Sequence, residues 1–158
     1  MSNYRYPKNS VIRNGKWADL YLFLIRKRIK PLAKIVGRIL SCEIGVNTKL
    51  PKRLFLAHPI GIVIGDETIL GENVVINHLV TLGGKDPHFQ GDSLKNEYPI
   101  LKEGVYVGAG ARILGHVTIG EWAIIGANAV VTKDVPAHSV VVGYNKILYN
   151  KNETKESK

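Results

Sequence analysis

Apolar residues recur every six positions along most of this chain. Ile64, Leu70, Ile76 and Leu82 mark a first run, and Val107, Ile113, Ile119, Ile125 and Val131 a second. A smaller set precedes each by two: Ile62, Thr68, Val74 and Val80, then Val105, Ala111, Val117, Ala123 and Ala129. Gly or another small turn-former follows most of the first set, as at Gly65, Gly71, Asn77, Gly83, Gly108, Gly120 and Gly126. A helix repeats about every 3.6 residues and a half-buried strand at every second one. Neither produces a period of six. A short flat strand with its turn does, so the pattern predicts a parallel β-helix whose core is a stacked column.

The beat fails in two places. Between Leu56 and Ile64 it slips, and His58 lies in the slip. From Gly84 to Pro99 it stops, in a polar run that includes Asp86, Pro87, His88, Gly91 and Asp92. That run must leave the column as a loop, and long loops in compact domains are commonly functional. After Val135-Pro136, the stretch Ala137 to Gly143 reads as a last strand.

Upstream, Trp17 to Leu40 has helical spacing. Trp17, Leu20, Tyr21, Leu24 and Ile25 share one face, continued by Ile29, Leu32, Ile35, Val36 and Ile39. Pro31 lacks a backbone donor, which predicts a kink or two helices. This segment is expected to cap the open end of the column. Its cationic opposite face also suits a membrane surface. The predicted organisation is an arm and basic amphipathic helix over 1–41, a β-helix over 42–148 with its loop at 84–99, and a charged, disordered tail over 149–158.

Composition narrows the picture. The 158 residues make one domain, and the 16 glycines suit a fold with many tight corners. A single cysteine, Cys42, excludes an intramolecular disulfide framework and suits a cytoplasmic location. The net charge of +9 is concentrated at Arg26, Lys27, Arg28, Lys30, Lys34 and Arg38 and in the tail lysines. A solvated face is the plain reading. The sharper one is an anionic partner: a phosphorylated cofactor, an acidic membrane or a lipid-linked phosphate. No nucleic-acid motif accompanies the charge. No leader pattern opens the chain, and the apolar run Leu20 to Ile25 is too short to span a bilayer.

The segments HPIGIVIGDETILGENVVINHLVTLGG and GVYVGAGARILGHVTIGEWAIIGANAVVTKDVPAHSVVVG resemble the hexapeptide-repeat acyltransferases, over residues 43 to about 143. Nearest in shape are serine O-acetyltransferases and the small sugar O-acetyltransferases of capsule and exopolysaccharide synthesis. The resemblance implies a left-handed helix, a homotrimer, and acetyl-CoA with its acceptor in a groove between subunits. Carbonic anhydrases on this fold hold zinc with three histidines. The five here, His58, His78, His88, His116 and His138, lack a tight ligand spacing, so no metal is expected.

Acetyl transfer from a thioester to a hydroxyl needs a base, oxyanion donors and a cofactor groove. By resemblance, His58 in Ala57-His58-Pro59-Ile60-Gly61-Ile62-Val63 matches the catalytic base of the serine enzymes. Their orienting carboxylate, fifteen residues upstream, falls on Glu43. Fifteen residues is nearly one coil, so the two side chains are expected to stack. His78 matches a histidine frequent in polysaccharide acetyltransferases, and His88 lies near the loop histidine of galactoside and maltose acetyltransferases. His116 and His138 read as structural. Ala109 and Ala127 match residues lining the pantetheine path, Thr132 and Lys133 a pair near the CoA phosphates, and Lys146 stands near a family arginine. Gly83 and Gly84 are candidate oxyanion donors beside the base.

Two departures bear on the acceptor. Ala57 replaces the Asp before the base, and Glu97-Tyr98-Pro99 stands where the serine enzymes carry Arg-His-Pro. A carboxylate in place of that Arg would repel serine. The expected acceptor is therefore a sugar or glycan precursor, with Tyr98 as a stacking surface. The alternatives are a serine O-acetyltransferase and a non-catalytic scaffold or membrane-docking subunit.

Overall fold

The computed structural model describes residues 14–45, 47–84 and 97–144, and the backbone of 146–150. The chain opens with α1 (Lys16–Arg26) and α2 (Lys30–Ile39). Strands follow in order: β1 (Glu43–Ile44), β2 (Leu54–Leu56), β3 (Val63–Ile64), β4 (Ile69–Leu70), β5 (Val74–Ile76), β6 (Thr81–Gly83) and β7 (Ile100–Leu101). Beyond them come β8 (Tyr106–Val107), β9 (Arg112–Leu114), β10 (Thr118–Ile119), β11 (Ile124–Ile125), β12 (Val130–Val131), β13 (Ser139–Val142) and β14 (Lys146–Asn150).

The strands build three sheets, one on each side of a column. The first is β1-β3-β6-β9-β12, the second β4-β7-β10, and the third β2-β5-β8-β11-β13-β14. All pairings are parallel except that of β13 with β14. Val63 pairs with Thr81, and Tyr106 with Ile124, so a regular coil takes eighteen residues, three sides of six. Every member of both six-residue sets points inward and is buried. The Thr68 hydroxyl is the one polar side chain among those sets, and it lies fully buried.

Two coils are longer. Leu82 pairs with Ile113, thirty-one residues on, so the excursion leaves after the third strand of the first sheet. Leu56 pairs with Ile76, twenty residues on, whereas Ile64 pairs with Leu82, eighteen on. The corner holding His58 therefore carries two extra residues. Both sequence irregularities are insertions at corners, where added residues leave strand pairing intact.

The corners use backbone that L-residues rarely adopt. Asn73, Gly104, Trp122 and His138 all have positive φ and stack at the corner between the second and third sheets. Gly104 has to be glycine there: a Cβ would lie 2.4 Å from the Trp122 ring. His138 has a structural place in this stack, its N–H donating to the Glu121 carbonyl.

The helices cap the first coil. Tyr21, Leu22, Leu24 and Val36 join the same apolar cluster as the column. The Asn14 side chain bonds the Leu54 carbonyl and the Leu56 N–H, so its amide mimics a neighbouring strand along the free edge of β2. The helix breaks after Arg26, and Pro31 sits in the first turn of α2, where its missing donor costs nothing. The expected continuous apolar face is corrected, however. Trp17, Leu20, Leu32, Ile35 and Ile39 are exposed, because the two helices turn Ala18, Leu22, Val36 and Gly37 toward the column instead. The arm over 1–13 and the tail over 151–158 lie outside the described residues, and β14 carries the backbone to Asn150.

Tyr21 ties the cap to the column. Its hydroxyl donates to the Cys42 carbonyl, and Gly37 lets the ring approach, since a Cβ there would meet both groups. Burial, then the neighbouring Cys42, pushes the Tyr21 phenol up to about 12. The folded chain keeps a proton that the unfolded chain releases near pH 10, about the ordinary tyrosine value. This contribution to stability is therefore complete below about pH 10 and disappears as pH rises through about 12. Melting temperatures should fall more steeply over that window in the parent chain than in Tyr21→Phe. Parallel curves would refute the assignment.

Candidate active site

The corner between the third and first sheets collects the candidate groups. The Ala57 N–H donates to the Ile76 carbonyl, the Asn77 N–H to Val107, and the Gly108 N–H to Ile125. This register stacks His58, His78, Ala109 and Ala127 in one column, although twenty, thirty-one and eighteen residues separate successive members. The His58 and His78 rings meet edge to face, with centroids 5.9 Å apart. His58 is exposed and His78 half-buried. The corner is tight: the Ile60 N–H returns to the His58 carbonyl at 2.7 Å, and Pro59 lies between them.

Apolar side chains that the periodicity did not flag surround this pair. Ile60, Val63 and Leu79 are exposed, and Leu79 adopts φ +58 while packing over Gly61. Leu79 falls off the six-residue beat, between Ile76 and Leu82. An apolar residue at a turn position was the available signal.

Glu43 takes a different place from the one expected. It pairs with Val63 at the start of the first sheet, and the side chain stacked on His58 is that of His78. The first coil has twenty residues, so a fifteen-residue separation stops short of vertical alignment. Among the described residues, neither Glu43 nor His58 makes a side-chain hydrogen bond or ion pair.

The remaining candidates separate by corner. Gly83 and Gly84 lie at the far end of the first sheet's strands, at the loop's base. Within one chain they are therefore not beside His58, which corrects their expected place. Tyr98 is held there too: a Cβ on Gly65 would lie 2.2 Å from its ring, and one on Gly84 3.1 Å. Glu97 precedes it at the same corner. Thr132 and Lys133 follow β12 at this far corner, with the Thr132 hydroxyl 3.5 Å from that of Tyr144. His116 is exposed just after β9. His88 lies outside the described residues, as does the side chain of Lys146. Among the described residues no group of three His, Cys, Asp or Glu is arranged to hold a metal.

A cleft of about 1000 Å³ separates α2 from the first sheet. Arg28, Lys34 and Arg38 stand on one wall, with Glu43, Asp66 and Tyr98 on the other. His58 is not among its lining residues.

Comparison with known proteins gives a consistent result. The bacterial transferase hexapeptide family (six repeats) matches residues 98–133. A serine acetyltransferase of Helicobacter pylori (strain ATCC 700392 / 26695) is 40% identical over 121 residues, covering 77% of this chain and 66% of the relative. One from Staphylococcus aureus (strain Mu50 / ATCC 700699) is 42% identical over 114 residues, covering 72% and 51%. The crystal structure of the Neisseria gonorrhoeae serine acetyltransferase superposes with a TM-score of 0.69 at 34% identity, over 85% of this chain and 52% of that one. A serine acetyltransferase in complex with CoA gives 0.66 at 30%, over 84% and 54%. The chain thus spans between half and two thirds of the length of these relatives. The column is a left-handed β-helix, as the likeness to these structures and the hexapeptide repeats indicate.

These findings overturn the sugar acceptor and the role in polysaccharide synthesis, since the relatives are serine acetyltransferases. The physical reason lies in Glu97. Its charge was expected to face the acceptor, but it stands at the loop's base, the length of a strand from the His58 corner.

Proposed function

Since this chain belongs to the hexapeptide-repeat transferase family, we propose that it is a serine O-acetyltransferase of cysteine biosynthesis, using acetyl-CoA. The observation that carries this reading is the extended likeness to serine acetyltransferases, at 40% identity over 121 residues. In support, an exposed histidine stands at an inserted corner, on the same column as two small residues that leave backbone accessible.

Acetyl-CoA supplies the activated acetyl group. The His58 imidazole takes the proton from the serine hydroxyl as its oxygen attacks the thioester carbonyl carbon. It then returns that proton to the departing sulfur as the C–S bond breaks. Glu43, paired with Val63, does not reach the His58 ring within one chain, so the base acts without it there. His78 flanks the base, and His88 assists from the loop. Ala109 and Ala127 lie one and two strand spacings beyond His78, roughly 5 and 10 Å along the axis, and line the pantetheine path. Thr132, Lys133 and Lys146 serve the cofactor's phosphates. The enzyme acts in the cytoplasm as a homotrimer.

Serine's carboxylate needs a cation, and Glu97 is not one. Arg112 fills this role. Its guanidinium donates to the Gly110 carbonyl at 3.2 Å, and the Gly110 N–H donates to the carbonyl of His78, which holds the charge beside the histidine pair. Arg112→Ala should raise the KM for L-serine about tenfold or more with little change in that for acetyl-CoA, the loss expected for one charge-assisted bond. Equal effects on both would remove the role. The acceptor itself is tested by following thiol release with L-serine and a panel of sugars. Saturable release with L-serine is expected, and release with a sugar alone would overturn the proposal.

A further inference from the structure

The outward face of the helical cap has no use in the chemistry above. Each helix turns one side to the column: Ala18, Tyr21, Leu22 and Leu24 from α1, Val36 and Gly37 from α2. At about 100° per residue, Leu20 and Phe23 then point away from the column with Lys16 and Lys27. Leu32, Ile35 and Ile39 do the same on α2, flanked by Lys34 and Arg38. These apolar side chains are 40 to 64% exposed, on a cap whose other face is packed.

The charge on the cap is one-sided. Residues 16–38 hold seven cations and one acid, Asp19. Arg26 is occupied, donating to the Pro51 and Lys52 carbonyls. The other six are exposed and make no ion pair among the described residues: Lys16 and Lys27 border the outward apolar patch, and Arg28, Lys30, Lys34 and Arg38 stand at its edge, where they also line the cleft toward Glu43 and Asp66. A second copy of this chain docking face to face would set like charges against each other. An apolar patch ringed by unpaired cations complements a surface with an apolar interior and an anionic skin.

We infer that the α1–α2 face seats on an anionic lipid bilayer, with Trp17, Phe23 and Ile35 entering the interface and the cations meeting headgroups. No helix among the described residues is long and apolar enough to cross a membrane, so the contact is peripheral. It presents the column's far coils, with Ala109 and Ala127, away from the bilayer, which leaves the proposed cofactor path open.

The full chain should be sedimented with vesicles of 40% phosphatidylglycerol and 60% phosphatidylcholine, and with pure phosphatidylcholine vesicles. Binding to the first alone is expected, falling about fivefold for each cation removed and weakening with added salt. Lys16→Glu/Lys27→Glu should abolish it while thiol release in solution is unchanged. Tryptophan emission should shift to the blue on binding, and the shift should survive Trp122→Phe but not Trp17→Phe. Equal binding to both vesicles, no binding at low salt, or a shift that persists in Trp17→Phe would overturn the inference. So would an Ile35→Asp/Ile39→Asp variant that changes oligomeric state but not vesicle binding, which would assign the face to a second copy.

Discussion

Replacing His58 by alanine is expected to lower turnover by about 10²–10⁴-fold, the usual worth of a positioned general base. The KM for acetyl-CoA should change little, because Ala109 and Ala127 lie farther along the column. His58 stands on a corner with two residues more than the next coil, and the insertion holds its ring out to solvent. A histidine serving only to pack would be inside the column, where every six-residue position is already filled. His78→Ala should cost less, since its ring flanks the base edge to face. Full activity in His58→Ala, together with loss in His88→Ala, would move the base to the excursion loop. Circular dichroism should show both variants folded.

Ile113→Ala is expected to destabilise the fold by about 2–5 kcal/mol, the cost of a cavity in a packed core. Ile113 is fully buried in β9, the fourth of five strands in the first sheet, with Leu82 and Val131 on its paired neighbours. Coils can shift little to fill the space. Gly108 shows how closely they stack, since a Cβ there would lie 2.6 Å from the Ala127 nitrogen. In a column each coil touches only the next, so a weak interior coil uncouples the coils on either side of it. For a domain of this size the melting temperature should fall by about 10 °C. Val63→Ala, on the exposed face of the same sheet, should stay within about 0.5 kcal/mol of the parent. A comparable loss there would mean that the exposed face carries the stability.

The inward positions were legible because burial is periodic. Ile64 and its successors could be read off the chain, and all are buried where the period puts them. The helical cap was half legible. Spacing located the helices and Pro31 the break, but which apolar residues face the column depends on how two helices lean on one coil. That orientation left Trp17 and Ile35 outside, contrary to the shared face expected. Leu79 was missed because a turn residue packing on Gly61 of the preceding coil has no signature in its own hexad.

His58 stood out because it interrupts a pattern, and Glu43 because a family spacing pointed to it. Their relation was not legible. It depends on coil length, and the first coil has twenty residues, which stacks His78 on His58 and pairs Glu43 with Val63. Glu97 was misjudged for a related reason. Its distance along the chain from the histidines says nothing of which corner it occupies.

By itself, then, the six-residue sequence period determined the stacked column, its core and the two interruptions, since a repeat of burial follows directly from a repeat of apolar side chains. Only the tertiary structure decided which interruption meets which corner. Residues far apart in sequence become neighbours through the summed lengths of the coils between them.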